Sequence, residues 1–542
     1  MGDLRTGLRI GIDVGGTNTD AVVLDTGGLV LAKAKRPTTA DVTAGLRAAL
    51  DAVLAELEGV SGGEDARDRV SRVMLGTTHA TNAVLERRNL GRVAVVRLGA
   101  PATTSVPPLS DWPADLRAAV SAGEAVVGGG HYVDGREIAR PDLDAVRRLL
   151  DAAGADAVAV TAVFSPATAD HERAVGELVA AEYGLPVSLS HEIGSLGLLE
   201  RENATVLNAA LHGVAAQVTG ALVAALAERG LRARPYLAQN DGTLMTVEQA
   251  ARLPVSTIGS GPANSLRGAA YLSGVADAIV ADVGGTSTDL GVLTGGFPRE
   301  SAAAVEIGGV LTNFRMPDVL SIALGGGTVV RSTGAGPDSV GYRIASEALV
   351  FGGGTPTMTD AAVRAGRVPP GGGDWPRRLA AALAKAAGPE MTDMTDTRDM
   401  RDMQGMLRAA LLAADEAVAD AVDRMALGRA DRPLVAVGGG AFLLPEDVPG
   451  VSGVVRPGHA EVANAVGAAI ALASGRVDTI LPAGESRSRA IERVKEEAAA
   501  RAVAAGADPA RVEIVDLLEV PLSYLSEPAV RVHVKAAGPL AR

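Results

Sequence analysis

The chain has 542 residues, a net charge of −13 and a pI near 5.2, which argues against nucleic acid or anionic membrane as a partner. It contains no cysteine, so disulfides, thiolate zinc sites and cysteine nucleophiles are excluded together. Hydrophobic residues make up 47% but aromatics only 2%, so its cores must be built from Ala, Val, Leu and Ile. No uncharged apolar run reaches the ~18 residues of a membrane span, and no signal-type apolar core precedes the first strand, so a soluble cytoplasmic protein is expected.

In chain order, strands are predicted near 8–13, 20–25 and 29–35, followed by a helix capped by Thr39 or Asp41 and running to Glu58. Leu46, Leu50, Val53, Leu54 and Leu57 form its apolar stripe. Between the first two strands lies DVGGTNTD, residues 13–20. A Gly-Gly turn predicts positive φ and a two-residue hairpin. It also leaves backbone N–H groups bare to an anionic oxygen. A strand over 70–75 then runs into Thr77, Thr78, His79 and Asn82 at a helix start, a polar-ligand site or plain N-capping. Residues 99–140, with four prolines and a triple glycine, read as an irregular insertion or lid. Alternating elements to about residue 190 predict a parallel, doubly covered sheet, with helical segments over 196–228 and a strand at 235–239.

A helix from Ser260 to about Leu272 leads into DVGGTSTD, residues 282–289, which repeats the first turn with only Asn18 against Ser287 changed. Two copies of a phosphate-cradling hairpin are more specific than one and imply a shared polyphosphate. Residues 388–406 lack a core period and read as a mobile surface insertion. Leu434–Val437 predicts a short buried strand, and Gly438, Gly439 and Gly440 after it suit either a nucleoside or a tight connection. Residues 461–473 predict a small-residue helix made for close packing, and 476–542 a small C-terminal α/β appendage.

The candidate site follows. Gly15, Gly16, Thr17 and Asn18 would hold one side of a triphosphate, and Gly284, Gly285, Thr286 and Ser287 the other. Asp13 and Asp282 would orient a magnesium ion through its water shell. Asp289 is a candidate base or hydroxyl positioner, whereas Asp20 reads rather as a turn carboxylate. His79, with Thr77, Thr78 and Asn82, is the substrate-side candidate. His171-Glu172 and His191-Glu192 lack the second histidine of a zinc helix. Glu200, Arg201 and Glu202 are either cleft residues or a solvated helix face.

The order of these motifs resembles the actin, Hsp70 and sugar-kinase superfamily. Within it, GTTHATNAVLERR (76–88), ERENATVLNAAL (200–211), SGPANSLRGA (260–269), PTMTDA (356–361) and GHAEVANAVGAA (458–469) are similar to the A-type members of the hydantoinase/oxoprolinase family. The resemblance implies an α/β fold of two related ATPase domains around a nucleotide cleft. Their expected extents are 1–262 and 263–475, with 476–542 as the appendage. It implies use of ATP and Mg²⁺ to phosphorylate a lactam or cyclic-imide carbonyl for ring opening, with a hydantoinase B-type partner completing hydrolysis. A small-molecule kinase and a reactivating or regulatory ATPase are the alternatives, and the oligomeric state stays open. The family's Pro-Gly-Pro-x-Cys-Tyr-Gly run is missing here; GPDSVGYRI stands near its place.

Overall fold

A computed structural model describes residues 7–16, 18–38, 42–61, 65–301, 304–386, 396–426, 432–482, 487–522 and 528–541. They form two compact units, each assembled from three stretches of sequence. The first takes Met1–Gly76, Gly261–Glu300 and Pro317–Ile470; the second takes Thr77–Ser260, Ser301–Met316 and Ala471–Arg542. These interleaved units cut across the linear division at 262 and 475.

In the first unit, strands Val70–Thr77, Leu8–Val14, Asn18–Leu24 and Val30–Pro37 lie side by side in that order. Leu8–Val14 and Asn18–Leu24 are antiparallel, with Asp13 opposite Asp20. Their almost continuous burial follows from apolar residues on both faces. The predicted stripe of helix Val42–Ser61 is buried, Leu46, Leu50, Val53, Leu54 and Leu57 included.

A second sheet of this unit pairs Ala278–Val283 antiparallel with Thr288–Thr294, placing Asp282 opposite Asp289, the same register as in the first hairpin. Leu434–Val437 joins the other side of Ala278–Val283 in parallel. The hairpins differ from expectation in one respect. Among the described residues, Gly15, Gly16, Gly284 and Gly285 do not take positive φ. Each loop instead closes over four residues, with Gly15 N–H donating to Asn18 O at 3.0 Å and Gly284 N–H to Ser287 O at 2.9 Å. Loops of that length need no left-handed residue.

Helices Ser260–Ser273 and Ala463–Ile470 pack tightly, as their small residues predict. A Cβ added at Gly268 would lie 1.8 Å from Ala463 O, and one at Gly467 1.9 Å from Asn264 O. Gly11 of the first hairpin likewise admits Ala465, and Gly291 of the second admits Leu266.

The mobile insertion expected at 388–406 is corrected where it is described. Asp396–Ala426 is one helix, and Met403 and Met406 pack against buried core residues. Its aspartates hid the period. Residues 387–395 lie outside the described residues.

In the second unit, Ser121–Gly128, Val93–Ala100, Ala157–Ala162 and Val187–Leu189 form a four-stranded parallel sheet in that order. The expected irregular insertion at 99–140 therefore contains helix Ala114–Val120 and the edge strand Ser121–Gly128. The glycines and prolines around this strand masked it. Glu513–Leu522, Ala529–Gly538, Ala473–Pro482, Leu244–Thr246 and Arg234–Ala238 also lie side by side in that order in this unit. The tail is thus no separate appendage: Ala473 pairs in parallel with Leu244, and Lys535 meets the buried Asp241 at 2.8 Å. Strand Ala473–Pro482 was missed because its first residues continue the alanine run of the preceding helix, which ends at Ile470.

Candidate functional site: twin carboxylate hairpins

The turn of each hairpin reaches solvent while the aspartate before it is drawn inward. Gly16 and Thr286 are exposed, Asp13 is buried and Asp282 half-buried. Asp13 accepts a hydrogen bond from Asn464 Nδ2 at 3.0 Å and one from Asn264 Nδ2 at 3.3 Å. Burial pushes the Asp13 carboxyl up to about 6; the two amides oppose this, while the charges of Asp20 and Asp282 add to it. Asp20, opposite Asp13, is also buried and raised by burial, against the pull of Lys35 at 2.9 Å. Asp282 is raised by burial, opposed by a hydrogen bond from Ser265 and reinforced by Asp289. Asp289 is raised the same way and accepts from Ser321 Oγ at 2.5 Å.

Asp13, Asp20 and Asp282 thus lie within electrostatic reach of one another, with Lys35 the cation that eases the group. Such a cluster is short of positive charge and has the hard oxygen donors that suit magnesium. A Cβ placed on Gly16 would meet nothing within 4 Å, so the first turn opens onto free space where an anion can approach its backbone. On both counts the residues fit a nucleotide triphosphate with a divalent cation.

Two glycine loops flank the second turn. Gly326 and Gly327 N–H donate to Gly284 O and Gly285 O at 3.0 and 2.7 Å, and Gly440 N–H donates to Val283 O at 2.8 Å. Gly438, at φ +86°, lies against Asp282, where a Cβ would come 2.4 Å from Oδ1. The Gly438–Gly440 turn is therefore beside the predicted phosphate turn. Thr17 lies outside the described residues. Asn18 and Ser287 are half-buried in the two turns.

Thr77, Thr78, His79 and Asn82 belong to the second unit. Thr77 Oγ1 contacts His79 Nδ1, and Asn82 Nδ2 reaches Thr78 Oγ1 at 3.5 Å. Burial holds His79 down at about 4, so its ring is neutral at physiological pH. Arg201 and Glu202 are neither solvated nor loosely placed. Both are buried; Glu202 binds Arg97 at 2.5 Å and Arg201 donates to Ala162 O at 2.7 Å and Ser195 O at 2.9 Å.

Sequence reasoning passed over Lys35, Asn264, Asn464 and Gly325–Gly327. The two asparagines carried a signal: each is a lone amide in a helix of small apolar residues, where a buried polar group needs a partner.

The fold and the paired hairpins define an ATPase-type α/β protein with two compact units. Residues 9–183 match the hydantoinase/oxoprolinase N-terminal region and residues 201–477 match the hydantoinase/oxoprolinase domain. The chain belongs to the hydantoinase/oxoprolinase family. It is 28% identical over 397 residues to the gamma subunit of acetophenone carboxylase from Aromatoleum aromaticum, covering 67% of this chain and 53% of that one. It is 29% identical over 392 residues to the alpha subunit of caprolactamase from Pseudomonas jessenii, covering 65% and 53%. The chain spans about half the length of the curated relatives it matches. The crystal structure of the ATP-dependent caprolactamase from Pseudomonas jessenii shares the fold, with a TM-score of 0.77 at 21% identity over 98% of this chain and 88% of that one. No single described helix is long and apolar enough to cross a membrane.

Proposed function

We propose that the chain is the ATP-using component of a cytoplasmic enzyme that activates a cyclic amide for hydrolysis. The observation that carries this reading is the identical register of two carboxylate hairpins, Asp13 opposite Asp20 and Asp282 opposite Asp289, within one unit. Support comes from family membership and from two relatives, an acetophenone carboxylase subunit, named for a ketone, and a caprolactamase subunit, named for a lactam. Both substrates present a carbonyl oxygen, the atom that would take the phosphoryl group.

In this reading the backbone amides around Gly15, Gly16 and Asn18 receive phosphate oxygens from one side, and those around Gly284, Gly285, Thr286 and Ser287 from the other. Asp13 and Asp282 would hold Mg²⁺, which would supply charge neutralisation during phosphoryl transfer. Asn264 and Asn464 fix the Asp13 carboxylate, and Lys35 fixes Asp20. Gly438, Gly439 and Gly440 flank the nucleoside, and Asp289 orients the attacking group. The amide oxygen attacks the γ-phosphorus and ADP leaves; water adds to the activated carbon, the ring C–N bond breaks as the nitrogen takes up a proton, and a second water cleaves the resulting acyl phosphate to the carboxylate and inorganic phosphate. His79, with Thr77, Thr78 and Asn82, is assigned to the substrate. A hydantoinase B-type partner supplies the hydrolytic half.

The purified chain is incubated with ATP, Mg²⁺ and a panel of lactams, hydantoins and 5-oxoproline, with ADP and ring-opened product measured together. We expect slow ATP hydrolysis stimulated by one cyclic amide, and multiple turnovers of ring opening only after a partner is added. Ring opening by the chain alone would refute the divided labour. Phosphorylation of an alcohol or sugar instead would make it a kinase.

A further inference from the structure

The second unit contains a cavity of about 1050 Å³ whose lining residues all belong to that unit. Its wall carries seven arginines against four carboxylates, in a chain whose net charge is −13. Four of the arginines are matched by the wall's own acids. Arg173 lies 3.3 Å from Asp170, Arg252 3.8 Å from Glu192, Arg501 2.5 Å from Glu497 and Arg531 2.6 Å from Asp478. Arg315 lies 3.8 Å from Asp516. Arg476 feels the charge of Asp241, but that carboxylate is already held by Lys535 at 2.8 Å. Arg493 forms no ion pair among the described residues. The cavity thus holds guanidinium charge that its own wall leaves unmet, and such charge is what recognises carboxylate and phosphate oxygens.

His191 lines the same cavity. Its Nδ1 lies 2.6 Å from Glu172 Oε2. Glu172 is completely buried and accepts further hydrogen bonds from His191 N–H at 3.0 Å, Ala162 N–H at 2.8 Å and Ser190 Oγ at 2.5 Å. Burial alone would raise this carboxyl, but hydrogen bonds from His191 and Ser190 and the Arg201 charge outweigh it and keep Glu172 ionised. An ionised acceptor at Nδ1 keeps a proton on that nitrogen and leaves Nε2 to meet a ligand. Met245, Phe314 and Val477 add apolar wall, which suits a carbon skeleton better than a bare inorganic ion.

We propose that this cavity binds a small organic anion, with Arg476 and Arg493 meeting its carboxylate or phosphate oxygens and His191 Nε2 forming a hydrogen bond with a hydroxyl group on the same molecule. The proposal stands apart from the nucleotide reading, because none of the hairpin residues lines the cavity.

Malate and glycerol 3-phosphate each combine an oxyanion with a hydroxyl, and titration calorimetry of both into the full chain tests the assignment. Saturable binding of one of them is expected, and which one binds tells a carboxylate ligand from a phosphate ligand. Arg476→Gln and Arg493→Gln should each weaken the bound probe by about tenfold or more, and His191→Phe by a similar factor. Arg493 is exposed on helix Arg487–Ala504, so its replacement leaves the fold intact and keeps the test decisive even if another variant misfolds. Silence from both probes up to about 10 mM, far above any specific affinity, would overturn the proposal. So would an affinity that the Arg493 variant leaves unchanged, or one indifferent to His191→Phe in a folded protein.

Discussion

At the level of single residues, the glycines in and beside the twin turns are not equivalent. Gly16 has open space where a Cβ would go, whereas a Cβ on Gly325 would lie 2.6 Å from the Gly285 carbonyl carbon and Thr286 N. Gly16→Val should therefore fold normally and lose ATP affinity by roughly tenfold or more, since the new side chain occupies the phosphate approach. Gly325→Val should instead lower the melting temperature, because backbone must move to admit it. Calorimetry with ATP and a thermal melt of both proteins check this; an unchanged ATP affinity in folded Gly16→Val would end the twin-turn reading. Asp13 gives a pH signature. Its carboxyl is raised from 3.8 to about 6 by folding, so the folded state binds the proton more tightly than the unfolded chain does. Stability from this group is complete below about pH 4 and is lost as pH rises through 6. Asp13→Asn should then be more stable than the parent at pH 7.5, by at most about 3 kcal/mol, and no more stable near pH 4. Melts of both chains across that range, without metal, decide it. A parent that is the more stable at pH 7.5 would contradict the burial argument.

At the level of elements, tight helix contact and the carboxylate site are one construction. Asn264 and Asn464, which bind Asp13, sit on the two helices that cross at Gly268 and Gly467. Gly467→Leu should cost about 2–4 kcal/mol through overpacking and, in whatever fraction folds, weaken nucleotide binding by displacing both amides. Denaturant titration and ATP calorimetry on the same preparation test the coupling. Helix Asp396–Ala426 gives a contrasting case. Leu407 is fully buried, so Leu407→Ala should cost about 2–5 kcal/mol, whereas a mobile insertion would tolerate it. These two elements show what was legible in the sequence. Repeated DVGGT hairpins and the small-residue helices could be read, because each needs a local pattern of glycine, alanine and aspartate. Strands Ser121–Gly128 and Ala473–Pro482 could not, since their apolar content is low and their place is set by distant neighbours. Lys35 escaped because strand register, not a motif, sets it opposite Asp20, and Gly325–Gly327 because tertiary packing brings that loop to the second turn.

For the whole molecule, the units are woven together along the chain: the first unit resumes at Gly261 after 184 residues given to the second, counting Thr77 to Ser260. A fragment ending at Ser260, a natural boundary if the domains were linear, would carry the first hairpin without helix Ala463–Ile470, on which it packs. We expect that fragment to be largely unfolded or aggregated, with no cooperative thermal transition. A sharp melt of the 1–260 fragment with native-like circular dichroism would show that the halves fold independently. Time enters here as well. On the ribosome, the strands of residues 8–37 emerge early but cannot find Ala463–Ile470 until some 430 further residues have been made, which at ~5–20 residues per second is a wait of tens of seconds. Contacts so remote in sequence also slow folding in vitro, because chain entropy must be spent before they form. Refolding from denaturant should accordingly be slow and sensitive to protein concentration, and the unpaired early strands make the nascent chain a natural client for holding chaperones.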